Sequence, residues 1–152
     1  MKLDEYLTEQ GVKFKSFEHP PAYTAQEVAA EEHVSGNLLA KSVVVKGDGG
    51  FVVCAVPASY KLDMSKVAKA LKFKKVRLAD EGEMAELFPE VEVGAEPPMG
   101  HLWNLPTLVD AHLAEDEEIV FQAGTHRSAI RMRYADYASL TKPEVADLAV
   151  HL

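Results

Sequence analysis

Residues 42–46 and 51–56 are two runs rich in valine, separated only by Gly47-Asp48-Gly49-Gly50. Valine packs well on a pleated surface and glycine tolerates the backbone angles of a tight reversal, so the segment predicts a β-hairpin. Cys54 lies inside Phe51-Val52-Val53-Cys54-Ala55-Val56. That is a place for a small apolar residue, whereas a reactive thiolate needs an exposed, electropositive setting. A two-stranded hairpin is not stable alone, so the rest of the chain must cover it. With 152 residues, 47% hydrophobic and 26% charged, one compact domain spanning 1–152 can do so.

The flanking elements are legible from caps and periodicity. Leu3, Tyr6 and Leu7 predict a short opening helix ended by Gly11, and Phe14 and Phe17 mark a strand over 13–18. His19-Pro20-Pro21 predicts a loop, and Thr24 with Glu27 a capping box for a helix to His33, stopped by Ser35-Gly36-Asn37. Asp63 can cap a helix over 64–71, and residues 75–78 read as a strand. Asp80 with Glu83 repeats the cap pattern before residues 84–88, which Pro89 ends. Strands are predicted at 107–109, at 118–122 and through Ile130 and Met132. Thr141 with Glu144 predicts a last helix, with Pro143 in its first turn. Helices and strands alternate without a βαβ rhythm. The expected class is therefore α+β, one domain on a mixed or antiparallel sheet with flanking helices.

Several chemistries are excluded by what is missing. There is no Gly-x-Ser-x-Gly elbow, Walker loop, Gly-x-Gly-x-x-Gly or His-Glu-x-x-His. His19, His33, His101, His112, His126 and His151 lack ligand spacing, so no metal and no cofactor are expected. One cysteine allows no internal disulfide. The start MKLDEYLTEQ carries acids where a signal peptide is apolar, and no stretch has bilayer-spanning length. A cytoplasmic protein with no membrane partner is expected. A formal charge of −8 likewise argues, as a global figure, against nucleic acid.

Three features remain for chemistry. Lys41 precedes Ser42-Val43-Val44-Val45, and alternation puts it on the face of Val43 and Val45, where it is either a cleft lysine or an ordinary solvated one. Gly94-Ala95-Glu96-Pro97-Pro98-Met99-Gly100 is a loop that glycines open to close approach and prolines stiffen. It can present N–H groups to a developing oxyanion, or be a plain surface turn. Gly124-Thr125-His126 stands at the mouth of a predicted hairpin, where His126 can exchange hydrogen bonds near neutral pH or simply be exposed.

Taken in order, Lys41 ahead of a valine strand, Gly94-x-x-x-Pro98 followed by Gly100, and Ala123-Gly124-Thr125-His126 before a strand resemble the YbaK/ProX family. These are freestanding relatives of the prolyl-tRNA synthetase editing domain. The likeness spans nearly the whole chain, from His19-Pro20-Pro21 to Tyr134-Ala135-Asp136-Tyr137. It implies a β-barrel-like α+β fold and hydrolysis of mischarged aminoacyl-tRNA. By that likeness the catalytic set is Lys41, Gly94, Pro98 and His126. Lys41 would hold the phosphate or ribose end of the acceptor, and the Gly94 to Pro98 loop the aminoacyl carbonyl through backbone N–H groups. His126 would position the substrate. Ser42, Ala95, Glu96, Pro97, Gly100, Gly124 and Thr125 would complete the binding site. A vicinal ribose hydroxyl would assist attack on the ester. Some deacylases of this family carry Asn where this chain has Ser42, which leaves the amino-acid preference open.

The acidic total conceals a basic stretch. Between Lys61 and Arg77 lie seven basic residues and one acid, and Lys61, Lys66, Lys69 and Lys72 are the candidates for tRNA phosphates. The expected partners are the acceptor end of an aminoacyl-tRNA and, secondarily, an aminoacyl-tRNA synthetase. No DNA partner is expected: a helix-turn-helix over 24–45 would need Ser42-Val43-Val44-Val45 as recognition helix, and those residues read as strand. A non-catalytic tRNA or synthetase adaptor is the alternative to an enzyme. An adaptor has no reason to gather Lys41, Gly94 and His126 around one cleft.

Overall fold

The computed structural model describes residues 2–18 and 38–152. The helix expected from Thr24 and the loop at His19-Pro20-Pro21 lie outside the described residues. Helix α1 (Leu3–Glu9) leads into β1 (Phe14–Glu18), and the chain is next described at Leu38. The hairpin forms as expected, with β2 (Ala40–Gly47) antiparallel to β3 (Gly50–Pro57) and Val43 opposite Cys54. A short β4 (Tyr60–Leu62) precedes α2 (Met64–Leu71), whose N-terminus Asp63 caps by accepting the Ser65 and Lys66 N–H groups. β5 (Val76–Leu78) and α3 (Glu81–Leu87) follow, the latter opened by the Asp80/Glu83 capping box.

A buried loop and a 3₁₀ turn (Gly100–Trp103) then lead to β6 (Thr107–Asp110) and α4 (Ala111–Ala114). β7 (Glu118–Gln122) and β8 (Ser128–Arg133) make a second hairpin, continued by α5 (Tyr134–Thr141), β9 (Glu144–Ala146) and β10 (Ala149–His151). The last helix is thus one element earlier than expected. Thr141 closes α5 instead of capping a helix, Lys142 turns left-handed at φ +50°, and Pro143 cannot extend the helix. Residues 144–146 instead pair in parallel with the open edge of β6.

The strands form a five-stranded mixed sheet, β5-β2-β3-β6-β9, an antiparallel three-stranded sheet, β1-β8-β7, and the pair β10-β4. β3-β6 and β6-β9 are the parallel contacts. The expected barrel-like closure does not occur among the described residues. The two larger sheets are instead joined where β2 begins, through a parallel bridge from Leu39 to Val120 and a hydrogen bond from the Val120 N–H to the Leu38 carbonyl (3.0 Å).

Alternation explains the layers. Val45, Val52, Cys54 and Val56 bury one face of the large sheet against Val67 of α2 and Leu148. Val44 and Val53 bury the other against Phe88. A third cluster fills the space between α1, α5 and the three-stranded sheet, with Leu7, Phe121, Ile130 and Tyr137 fully enclosed. Because both faces of the hairpin are covered, its valines read as near-continuous apolar runs rather than alternating ones.

Candidate functional site

β5 pairs with β2 only at residues 45–47, so the leading half of that edge of β2 is left for another segment. The loop after α3 takes the place. The Ser42 hydroxyl donates to the Glu96 carbonyl (2.7 Å), clamping loop to strand. The result is a cavity of about 180 Å³ lined by Leu39, Ala40, Lys41, Ser42, Gly94, Glu96 and Gln122.

The Lys41 side chain makes no hydrogen bond or ion pair with another described residue, and burial lowers its pKa from the ordinary lysine value. Glu96 is only 5% exposed, and both its carboxylate oxygens accept the Gly94 N–H, at 3.0 and 2.8 Å. Burial raises its pKa, and backbone N–H donors of residues 94–96 and the nearby His126 partly offset that. The carboxylate thus occupies a small nest of main-chain donors.

This changes the expected use of the loop. Gly94 N–H is engaged by Glu96, Ala95 N–H by the Glu92 carbonyl (2.9 Å), and Met99 N–H by the Pro97 carbonyl (2.8 Å). Gly100 N–H donates to Thr107 Oγ1 (3.0 Å), and Pro97 and Pro98 have no N–H to offer. The expected row of donors for a substrate carbonyl is therefore satisfied internally. Nor is the loop a surface turn: residues 95–100 are all buried, and the Tyr137 hydroxyl donates to the Pro98 carbonyl. Gly100 is obligatory for packing, since a β-carbon there would come within 2.6 Å of Thr107 Oγ1.

His126 stands one layer behind the cavity wall and is 8% exposed. Its Nε2–H must donate to the Val93 carbonyl (2.9 Å), which leaves Nδ1 to accept from the Gln122 amide (3.4 Å). Its backbone N–H donates to Glu92 Oε1 (2.7 Å). Gly124 stitches the same two segments together: its N–H donates to the Ala95 carbonyl and its carbonyl accepts from Glu92 N–H, both at 2.9 Å. Thr125 is exposed, with its hydroxyl against Ser128.

Of the residues singled out from sequence, Lys41, Ser42, Gly94 and Glu96 line the cavity. Ala95, Pro97, Pro98, Gly100, Gly124 and His126 shape the loops behind it, and Thr125 faces outward. Leu39, Ala40 and Gln122 are wall residues that no motif indicated. Gln122 ends a strand, and only the pairing of β7 with Leu38 and Leu39 brings it beside Lys41.

The basic stretch is uneven. Lys61, Lys69 and Lys72 are exposed, whereas Lys66 Nζ donates to Asp147 Oδ1 (3.0 Å) and the Ala149 carbonyl (3.3 Å). Arg77 forms a two-pronged pair with Glu83, at 2.7 and 2.9 Å, which holds that carboxyl at a pKa of about 2. Lys41 shares its side of β2 with Val43 and Val45, which pack on α2, the helix that carries Lys66 and Lys69. No helix among the described residues is long and apolar enough to cross a membrane.

The fold and cavity define a small α+β domain with one recess held between a strand and a buried loop. Residues 19–140 match the aminoacyl-tRNA editing domain family, and the chain belongs to it. It is 28% identical to the multifunctional Ser/Thr-tRNA deacylase ProXp-y of Escherichia coli K12, over 96% of this chain and 90% of that protein. It resembles the crystal structure of a proposed trans-editing enzyme for prolyl tRNA synthetase, at 29% identity and TM-score 0.86, covering 97% and 94% of the two chains. A hypothetical protein of known crystal structure shares the fold at TM-score 0.88 and 23% identity, over 99% of this chain and all of that one.

Proposed function

We propose that this chain is a trans-editing hydrolase that removes a small amino acid, such as alanine, serine, threonine or cysteine, from a mischarged tRNA. The observation that carries the reading is one small cavity bordered by an unpaired lysine, in a chain of the editing family. An engineered protein cavity of about 150 Å³ holds benzene, so about 180 Å³ suits a side chain of a few heavy atoms. Size exclusion of this kind is the physical remedy when a synthetase gains only about 1–3 kcal/mol per methylene.

An aminoacyl ester is already activated, so no protein nucleophile is required. Lys41 holds the phosphate or ribose end of the acceptor and places positive charge beside the developing oxyanion. A water, oriented with the help of the vicinal ribose hydroxyl, attacks the carbonyl; its oxygen stays on the released amino acid and the ribose oxygen of the ester leaves with a proton. Gly94, Pro98 and His126 act through the loop, keeping its cavity side against Ser42. Exposed Lys61, Lys69 and Lys72 meet tRNA phosphates. The setting is the cytoplasm, with an aminoacyl-tRNA synthetase as a second partner.

The test is deacylation of tRNAs mischarged with alanine, serine, threonine and cysteine, by the native protein and by Lys41→Ala. Native activity on at least one ester is expected, with a loss of about 100-fold in the variant, the size of a positioning defect. If no ester is cleaved faster than it hydrolyses spontaneously, the adaptor reading replaces this one. Full activity of Lys41→Ala would remove that residue from the site.

A further inference from the structure

Glu96 and Lys41 bring opposite charges to the wall of one cavity, yet they are not paired with each other. Among the described residues no cation makes an ion pair with Glu96. Its carboxylate is held by backbone N–H groups alone, at 5% exposure. Buried charges are as a rule paired as well as hydrogen-bonded, and a carboxylate can accept about four hydrogen bonds. The donors around it are backbone N–H groups of residues 94–96, with Gly94 N–H shared between the two oxygens and His126 near but not ion-paired to it, so no described side-chain cation sits on the carboxylate. A cavity with an unpaired cation and an unpaired anion fits a ligand that is charged at both ends in the opposite sense.

An aminoacyl-tRNA end is such a ligand. Its nucleotide carries phosphate, and its amino acid carries one ammonium on the carbon next to the scissile carbonyl. We propose that Glu96 receives this α-ammonium group while Lys41 takes the anionic nucleotide end, so that the site selects esters with a free α-amino group. This inference rests on the deacylase reading above. The local structure serves the role: Gly94, at φ +94°, lets the loop turn so that the carboxylate folds back over its own N–H groups, and Ser42 ties the loop to β2. Held at both ends, the ester between them has a defined position. A general-base role for Glu96 makes a different prediction: losing the base slows amino and hydroxy esters by the same factor.

The experiment uses tRNA charged with alanine, serine or threonine, and the same tRNAs after conversion of the α-amino group to a hydroxyl or to its N-acetyl derivative. For whichever amino acid the native protein hydrolyses fastest, the free-amino ester should exceed both derivatives by about 10- to 100-fold in kcat/KM, as expected for one charge-assisted hydrogen bond. Glu96→Gln keeps the size of the side chain and an acceptor for Gly94. It should lower the free-amino rate by that factor and leave the α-hydroxy rate nearly unchanged. Glu96→Asp, which retains the charge, should keep part of the preference. A merely structural defect would lower all three esters together and leave their ratio intact. Equal native rates on amino and hydroxy esters, or an equal loss on both in Glu96→Gln, would overturn the ammonium role and leave the deacylase reading standing. Hydrolysis of none of the esters would remove that reading, and this inference with it.

Discussion

The Cε1 edge of His126 lies against the backbone of Gly94, so close that a β-carbon on residue 94 would stand 3.3 Å from it. The imidazole fills the space a side chain would need, and Gly94 itself is left-handed at φ +94°. His126 and Gly94 therefore belong together as packing partners, and of the two it is Gly94 that lines the cavity.

Gly94→Ala should cost about 1–2 kcal/mol from its backbone angle alone, and more from the ring contact. In a His126→Ala background the contact portion disappears. Urea denaturation of the two single variants and the double variant should show costs that are less than additive, with a coupling of about 0.5–3 kcal/mol. Strictly additive costs would show that the ring does not press on residue 94.

Asp110 is fully buried at the end of β6, where Oδ1 accepts the Leu148 N–H (2.9 Å) and Oδ2 accepts the His112 N–H (3.1 Å) and Nδ1–H (2.8 Å). The carboxylate ties the link between β9 and β10 to the central sheet. Asp110→Ala leaves those donors without a partner and should cost about 3–5 kcal/mol in denaturant unfolding. Asp110→Asn keeps one acceptor and should cost less. A loss under about 1 kcal/mol in the alanine variant would mean that the carboxylate does not hold this corner.

Burial pushes the Cys54 thiol up to a pKa of about 12, so at neutral pH it is protonated and enclosed. An aromatic disulfide reagent should label it only as fast as the protein unfolds. Cys54→Ala should lose about 1 kcal/mol of stability and match the native protein in the proposed deacylation assay. Rapid labelling of the native protein would place the thiol at the surface.

Lys69 and Lys72 are exposed and Lys66 is committed to Asp147. Lys69→Glu with Lys72→Glu should weaken tRNA binding and flatten its salt dependence by about 0.7–0.9 in log–log slope for each phosphate contact removed. Lys66→Ala should change stability more than binding. Binding that is indifferent to ionic strength would discard the basic stretch as the tRNA approach.

Local chemistry accounts for what was legible in the chain. The hairpin, the Asp63 cap and the Asp80/Glu83 capping box formed where expected because each is decided within a few residues. The segment from Thr141 to Glu144 carries the same cap residue types, yet it did not start a helix. There the vacant edge of β6, far away in sequence, offered residues 144–146 hydrogen-bond partners, and that outcome is decided by topology.

The site divides along the same line. In one dimension Lys41 before a valine strand and the glycine–proline loop were visible but ambiguous, and it was the resemblance carried by their order that marked Lys41, Ser42, Gly94 and Glu96 together. Only the tertiary structure decided that Gln122 joins them, that His126 stands behind Gly94, and that the loop's N–H groups turn inward to Glu96. Whether a donor faces a ligand or its own chain depends on which groups long-range packing brings within about 3 Å. The charge balance has the same lesson: a total of −8 conceals a basic stretch, and folding sorts its lysines into paired and exposed ones.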